Sequence, residues 1–326
     1  MKNNRICELL GMEYPIIQGG MFRLADADLA AAVSEAGALG TLSPYAGISD
    51  GENPVQNLHS QIQRIRQLTG KPFAVNILLD LPESGLLVDV LLRKKAAVVV
   101  TAAGGPGIYT ELLHSAGILV LHVTGSVSQA RLAESSGVDA VIAEGCEAAG
   151  RIGRDEIPLL SLIPQVADAV TVPVIAAGGI ADGRGMAAAF VLGASGVQLG
   201  TRFVAVEECM AHAAYKKAIV ESGDSGTIVT RRGTIPVRSL RSRFIEDLAA
   251  MEQSGAGTGR IEEFIGRDRA RKAQIAGDIE NGDAYAGSSA GLIREIIPAA
   301  AVIQKMIQEY KEAVRRMDFS SNREPL

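Results

Sequence analysis

The residues best suited to chemistry sit at the ends of short apolar runs. Gly19-Gly20-Met21 follows the run 15–18, Asn76 ends 73–76, and Thr101 ends 97–101. His122 stands near the end of 119–123, and Glu144 ends 140–144. Gly178-Gly179 follows 174–177, and Gly200-Thr201 follows 197–199. Glycine turns of this kind expose backbone N–H groups without a Cβ to block close approach, which suits an anion such as a phosphate. The turns after 177 and 199 therefore predict a phosphate-bearing cofactor or substrate. Gly19-Gly20-Met21 would let a flat ring lie against the first run, and Asn76 offers both a donor and an acceptor to its edge. His122 and Glu144 are candidate ligand-facing groups. Glu144 has a structural alternative, capping the next turn, and the nearby Glu147 suits that alternative.

The elements that must position these residues alternate. The eight runs 15–18, 39–42, 73–76, 97–101, 119–123, 140–144, 174–177 and 197–199 read as strands. Segments of helical period lie between them at 27–35, 55–68, 86–95, 108–116, 127–135, 157–169 and 185–192. Strand and helix repeated this often imply parallel pairing with right-handed crossovers. Eight such strands predict an α/β fold, a closed (β/α)8 TIM barrel, with active residues gathered at the strands' C-terminal ends. After Val206 the pattern changes to charged segments with no convincing strand. Residues 207–286 are therefore expected to form a helical lid inserted after strand eight, over a barrel made of 1–206 and 287–326. The polar tail 318–326 is expected to fray.

Composition narrows the function classes. The 326 residues are 47% hydrophobic with a net charge of −5, so disorder is excluded and neither nucleic acid nor an anionic membrane suits as main partner. Cys7, Cys146 and Cys209 are odd in number and far apart, which predicts no disulfide framework, no zinc site and a reducing, cytoplasmic compartment. The longest stretch without Asp, Glu, Lys or Arg, 112–130, carries two histidines and is a poor membrane span. His59, His114 and His212 have no metal-ligand spacing. Cys146 would need a cationic neighbour to act as a nucleophile. The arginines at 231, 232, 238, 241 and 243 suit either an acidic partner or a solvated helix face. Gly287-Ser288-Ser289-Ala290-Gly291 matches a hydrolase nucleophile pattern, but no histidine follows it, so that reading is rejected.

In combination the motifs resemble the FMN-dependent nitronate monooxygenases and the flavin-type enoyl-ACP reductases that share their fold. They are Pro15-Ile-Ile-Gln18-Gly19-Gly20-Met21, Pro72-Phe-Ala-Val-Asn76, Ala143-Glu144-Gly145-Cys-Glu147-Ala148-Ala-Gly150, Pro173-Val-Ile-Ala-Ala-Gly178-Gly179-Ile-Ala-Asp182-Gly183, Gln198-Leu-Gly200-Thr201-Arg202-Phe203, and Ala286-Gly287-Ser-Ser-Ala-Gly291-Leu292-Ile293. The resemblance spans nearly the whole chain. It implies FMN held non-covalently and a small-molecule substrate such as a nitronate oxidised with oxygen, or alternatively NAD(P)H as reductant; the acidic partner that the arginine run would suit is acyl carrier protein, and a homodimer is the expected assembly. It implies that Gly178, Gly179, Gly200 and Thr201 hold the phosphate, while Gly20, Met21, Asn76, Thr101, His122 and Glu144 line the rest. Gly19, Gly150 and Gln198 fall in the same matched motifs and are counted to the site, and Ser288 is expected to face substrate. One departure stands out: the family histidine is replaced by Arg151. Arginine stays protonated and cannot act as a general base, but it would pair with an already ionised nitronate. A flavin-binding barrel without the family chemistry is the third reading.

Overall fold

The computed structural model describes residues 4–49 and 51–317. Its strands in chain order are β1 (Ile16–Gln18), β2 (Gly40–Leu42), β3 (Phe73–Leu78), β4 (Val98–Ala102), β5 (Leu119–Thr124), β6 (Ala140–Glu144), β7 (Gly150–Arg151), β8 (Val174–Ala177), β9 (Gly196–Leu199), β10 (Thr227–Thr230) and β11 (Val237–Leu240). Eight of these form one sheet in the order β1-β9-β8-β6-β5-β4-β3-β2, with every pair parallel. All eight expected strands are present.

The barrel closes between β1 and β2, its shortest strands. A bridge joins Ile17 to Leu39, and the Gln18 N–H donates to the Leu39 carbonyl at 2.9 Å. The buried Gln18 amide completes this seam, accepting from Thr41 N at 3.0 Å and donating to Thr41 O at 3.1 Å. A side chain thus satisfies backbone groups that a longer ladder would have paired.

Strand alternation sorts side chains into two layers. Ile17, Leu39, Ala74, Val100, Leu121, Ile142 and Ile175 fill the interior, together with Ile6, Cys7 and Leu10. The latter three belong to a helix, Arg5–Leu10, that sequence periodicity did not suggest. It is capped by Asn4 at one end and by Gly11 (φ 67°) at the other, and its buried side plugs the barrel floor. Ile16, Val75, Val99, Val120, Val141 and Val197 point outward and pack with the surrounding helices. The C-terminal helix Ala299–Met317 crosses the helix Gly183–Val191 closely. A Cβ at Gly183 would lie 2.2 Å from Tyr310 N, so only glycine fits.

The inserted region holds the helices Ala213–Val220, Arg243–Gln253, Thr258–Ile265 and Arg269–Gln274. It also contains strands, which corrects the expectation of an all-helical segment: β10 and β11 pair antiparallel, and β11 pairs with β7 from the loop after β6. The strands are four residues each, and one of their partners lies far back in the chain, so local patterning carries little trace of them. The helix expected over 108–116 is split into a 3-10 turn, Pro106–Ile108, and a helix, Thr110–Ser115. The tail 318–326 lies outside the described residues. Among the described residues no helix is long and apolar enough to cross a membrane.

Candidate active site

Three polar side chains turn inward at the C-terminal ends of barrel strands. Asn76 on β3, Glu144 on β6 and Gln198 on β9 share the parity of Ala74, Ile142 and Gly196, and each is half-buried. No hydrogen bond from another described residue engages them, and none is a sealed orphan, so their polar atoms open onto accessible space. Unpartnered polar groups at a barrel mouth are what a ligand would satisfy.

The glycines bring the first turn against this group. A Cβ on Gly20 would lie 2.5 Å from Asn76 Cγ, and one on Gly19 would lie 3.7 Å from Gln198 Cγ. Gly19 N donates to Leu199 O at 2.9 Å. Met21 holds a positive φ of 37°, unusual for a side-chain-bearing residue, and its Cγ is 3.9 Å from a Cβ placed on Gly200.

The loops after β6, β8 and β9 converge beside it. Gly178 (φ 95°) and Gly179 (φ 71°) take backbone conformations that favour glycine. A Cβ on Gly178 would also meet Ala148 N and Gly145 O at 3.0 Å. Thr201 Oγ1 accepts from Gly287 N at 2.9 Å, and the half-buried Ser288 donates its N–H to Glu147 O at 2.9 Å. The N–H groups of Gly179, Gly200 and Thr201 have no acceptor among the described residues. Asp182 separately caps the helix Gly183–Val191. A glycine cradle with free donors fits a phosphate.

The two acids of the β6 loop divide the roles that the sequence left open. Glu147 is the capping residue, both carboxylate oxygens accepting from Leu159 N at 3.0 Å. Glu144 has no such partner. It is enclosed by protein though still open to the cleft, and burial pushes its carboxyl up from 4.5 to about 8. A raised carboxyl pKa means that the folded state binds the extra proton. Its contribution to stability is fully present below pH 4.5 and is lost as pH rises through about 8. Denaturation of flavin-free protein at several pH values is expected to show this decline, and Glu144→Gln is expected to flatten it. An unchanged slope in the variant would show that Glu144 ionises freely.

Thr101 and His122 are placed differently from expectation. They share the parity of Val99 and Val120, the layer that packs on the helices, and the Thr101 hydroxyl lies 2.7 Å from His122 Nδ1. Both are buried, and burial lowers the imidazole to about 4, so it is neutral. This corrects their assignment to the ring's cleft. A strand-end position does not say which face a side chain takes.

Arg151 forms β7 with Gly150 and is exposed at the rim of the mouth. Its Nη1 donates to Asp80 Oδ2 at 2.9 Å, beyond the end of β3. Gly150 takes φ 72°, and the Tyr285 ring packs against it. The cation beside Cys146 is Arg238, which donates to the Cys146 carbonyl, and burial raises that thiol, so it is not an activated nucleophile. Of the arginine run only Arg243, exposed at the start of the helix Arg243–Gln253, fits a solvated helix face. Arg231 pairs with Asp283, Arg232 with Glu156 and Arg241 with Glu246. His59 is exposed, His114 pairs with Asp139, and His212 Nδ1 accepts from Ala214 N as a helix cap. No group of side chains suited to a metal ion occurs among the described residues. Tyr285, Asp80 and Asp283 had not been singled out. Only Tyr285 had a signal, its place directly before the motif at Ala286-Gly287.

A closed parallel barrel with this mouth is the frame of a flavin-dependent oxidoreductase, the class that comparison with known proteins supports. The family model described as nitronate monooxygenase matches residues 3–86 and 84–309. A "probable nitronate monooxygenase" of Staphylococcus aureus (strain JH9) is 31% identical, covering 96% of this chain and 98% of that protein. The chain belongs to the nitronate monooxygenase family. Among solved structures, FabK from Thermotoga maritima is 43% identical with a TM-score of 0.90, covering 97% of this chain and 99% of that one. Nitroalkane oxidase from Streptomyces ansochromogenes is 31% identical with a TM-score of 0.82, covering 96% and 99%.

Proposed function

We propose that this protein is an FMN-dependent reductase that draws hydride from NAD(P)H and delivers it to an activated alkene of the enoyl thioester class. The N–H groups of Gly179, Gly200 and Thr201 would hold the phosphate, with Gly178 giving the turn its shape. Asn76, Gln198 and Glu144 would meet the polar edge of the ring, and Gly19-Gly20-Met21 would support its face. Bound there, FMN supplies reversible hydride transfer. The inserted region acts as the lid that excludes water from the mouth, tied to the rim through β7.

The observation that carries this reading is the 2.9 Å pair between Arg151 and Asp80. A nitronate paired with Arg151 would have to compete with Asp80, which this guanidinium already meets. The 43% identity to FabK points to the enoyl-reductase side of the resemblance. Nitronate oxidation is the second reading, favoured by the family model and the curated relatives. The paired arginines of the hairpin offer little free charge to an acyl carrier protein, so a small thioester is the better probe. The three free cysteines suit a reducing cytoplasm.

Stopped-flow mixing of flavin-loaded protein decides between the readings. Bleaching of the flavin by NAD(P)H alone, with recovery on adding an enoyl thioester, is the expected result. Bleaching by a nitronate and not by NAD(P)H would establish the second reading instead.

A further inference from the structure

Arg151 keeps its proton, so a reductase built on this mouth needs another group to supply one. Tyr285 is placed for that task. A Cβ added to Gly150 would lie 3.6 Å from Tyr285 Cδ2. Gly150 is itself held in the β7–β11 ladder opposite Arg238. The ring therefore stands at the rim, next to the position where the family histidine is missing. Two residues further on, Gly287 is bonded to Thr201 in the phosphate cradle. The Tyr215 hydroxyl donates to the Tyr285 carbonyl and clamps the backbone between them. Charges of both signs bear on the phenol: Asp283 disfavours its ionisation, and Arg231 and Arg151 favour it. Its side chain is half-buried though enclosed by protein, as a group opening onto a cleft would be.

We propose that the Tyr285 hydroxyl is the proton donor of this site, an assignment that rests on the reductase reading. Bound FMN, reduced by NAD(P)H, would supply the hydride that forms a C–H bond at the β-carbon of the enoyl thioester. The electron pair of the C=C bond moves to the α-carbon, which takes a proton as the Tyr285 O–H bond breaks. The Arg231 and Arg151 charges favour the phenolate left behind, against that of Asp283, and water restores its proton. Burial pushes the phenol up to about 12, so the proton is in place at neutral pH. Glu144 is also protonated near neutrality, but it lies on the inward face of β6 and would be occupied by the ring's edge.

Tyr285→Phe removes the hydroxyl and keeps the ring against Gly150. The variant is expected to load flavin and to be bleached by NAD(P)H at the rate of the unaltered protein. Reoxidation by crotonyl thioester is expected to slow by about 100-fold or more. A second measurement does not depend on turnover. In protein labelled with 13C at tyrosine Cζ, the Tyr285 resonance is the one absent from Tyr285→Phe. Saturated butyryl thioester, which cannot be reduced, is expected to shift it in the flavin-loaded protein. Reoxidation at an unaltered rate, or a resonance that the thioester does not move, overturns the assignment while leaving the reductase reading intact. An unaltered protein that NAD(P)H fails to bleach overturns that reading, and the assignment with it.

Discussion

Asp283→Ala is expected to lower the unfolding free energy by about 3–5 kcal/mol, the cost of leaving one member of a buried ion pair without its partner. Asp283 and Arg231 have side chains only 2% and 12% exposed. Asp283 Oδ1 also accepts from the Ser239 hydroxyl at 2.5 Å, and its backbone carbonyl accepts from Gln274 Nε2 at 3.3 Å. The carboxylate therefore joins both strands of the hairpin to the segment leading to Tyr285, and the backbone of the same residue holds the helix Arg269–Gln274. Arg231 holds φ 64° at the end of β10, and its Nε already has no partner. Without Asp283 the guanidinium is a buried charge that must be hydrated, and the inserted region must open to hydrate it. Urea denaturation followed by circular dichroism measures the loss. Arg231→Met combined with Asp283→Leu is expected to recover most of it, because two apolar groups leave no orphaned charge. A loss under 1 kcal/mol for the single variant would show that the pair does not pin this region.

Gly20→Ala is expected to weaken FMN binding by about tenfold or more, roughly the worth of one or two hydrogen bonds. The new methyl would lie 2.6 Å from Asn76 Cβ and 2.8 Å from Nδ2. The near end of that side chain cannot give way by simple rotation, so the amide is driven from its inward position. The strand pairings of β1 and β3 do not involve Gly20 itself, and the fold is expected to survive. Flavin fluorescence titration gives the affinity. Asn76→Ala alone should produce a similar loss, and the double variant should be little worse than either single one, because both act through one amide. Full affinity in Gly20→Ala would remove Asn76 from the ring's edge.

Much of the fold was legible because its rules are local. β-branched runs separated by helical periods are strand and helix in turn, and their repetition admits few topologies. The glycines of the candidate cradle were legible for a related reason: those at 178 and 179 are demanded by backbone conformation, which residue type reports directly. The strands β10 and β11 were not legible, since their pairing with Gly150–Arg151 joins segments that are distant in sequence. Thr101 and His122 were read to the correct end of their strands but to the wrong face. With a period of two, a shift of one residue reverses every assignment, and no sequence feature of β4 or β5 marks the interior face, since both faces are apolar.

By itself, then, the sequence determined the barrel, the end at which its candidate ligand-facing residues collect, and an arginine at 151 that keeps its proton. Those depend on periodicity, on glycine and on the chemistry of a single side chain. Tertiary structure alone decided what stands around that arginine. Arg151 is tied to Asp80, Arg231, Arg232 and Arg241 are matched to acids, Glu147 caps a helix while Glu144 faces the cleft, and Tyr285 lies against Gly150. Each is a contact between segments brought together by barrel closure and by the inserted sheet, and charge pairing depends on distances in space that spacing along a chain does not contain.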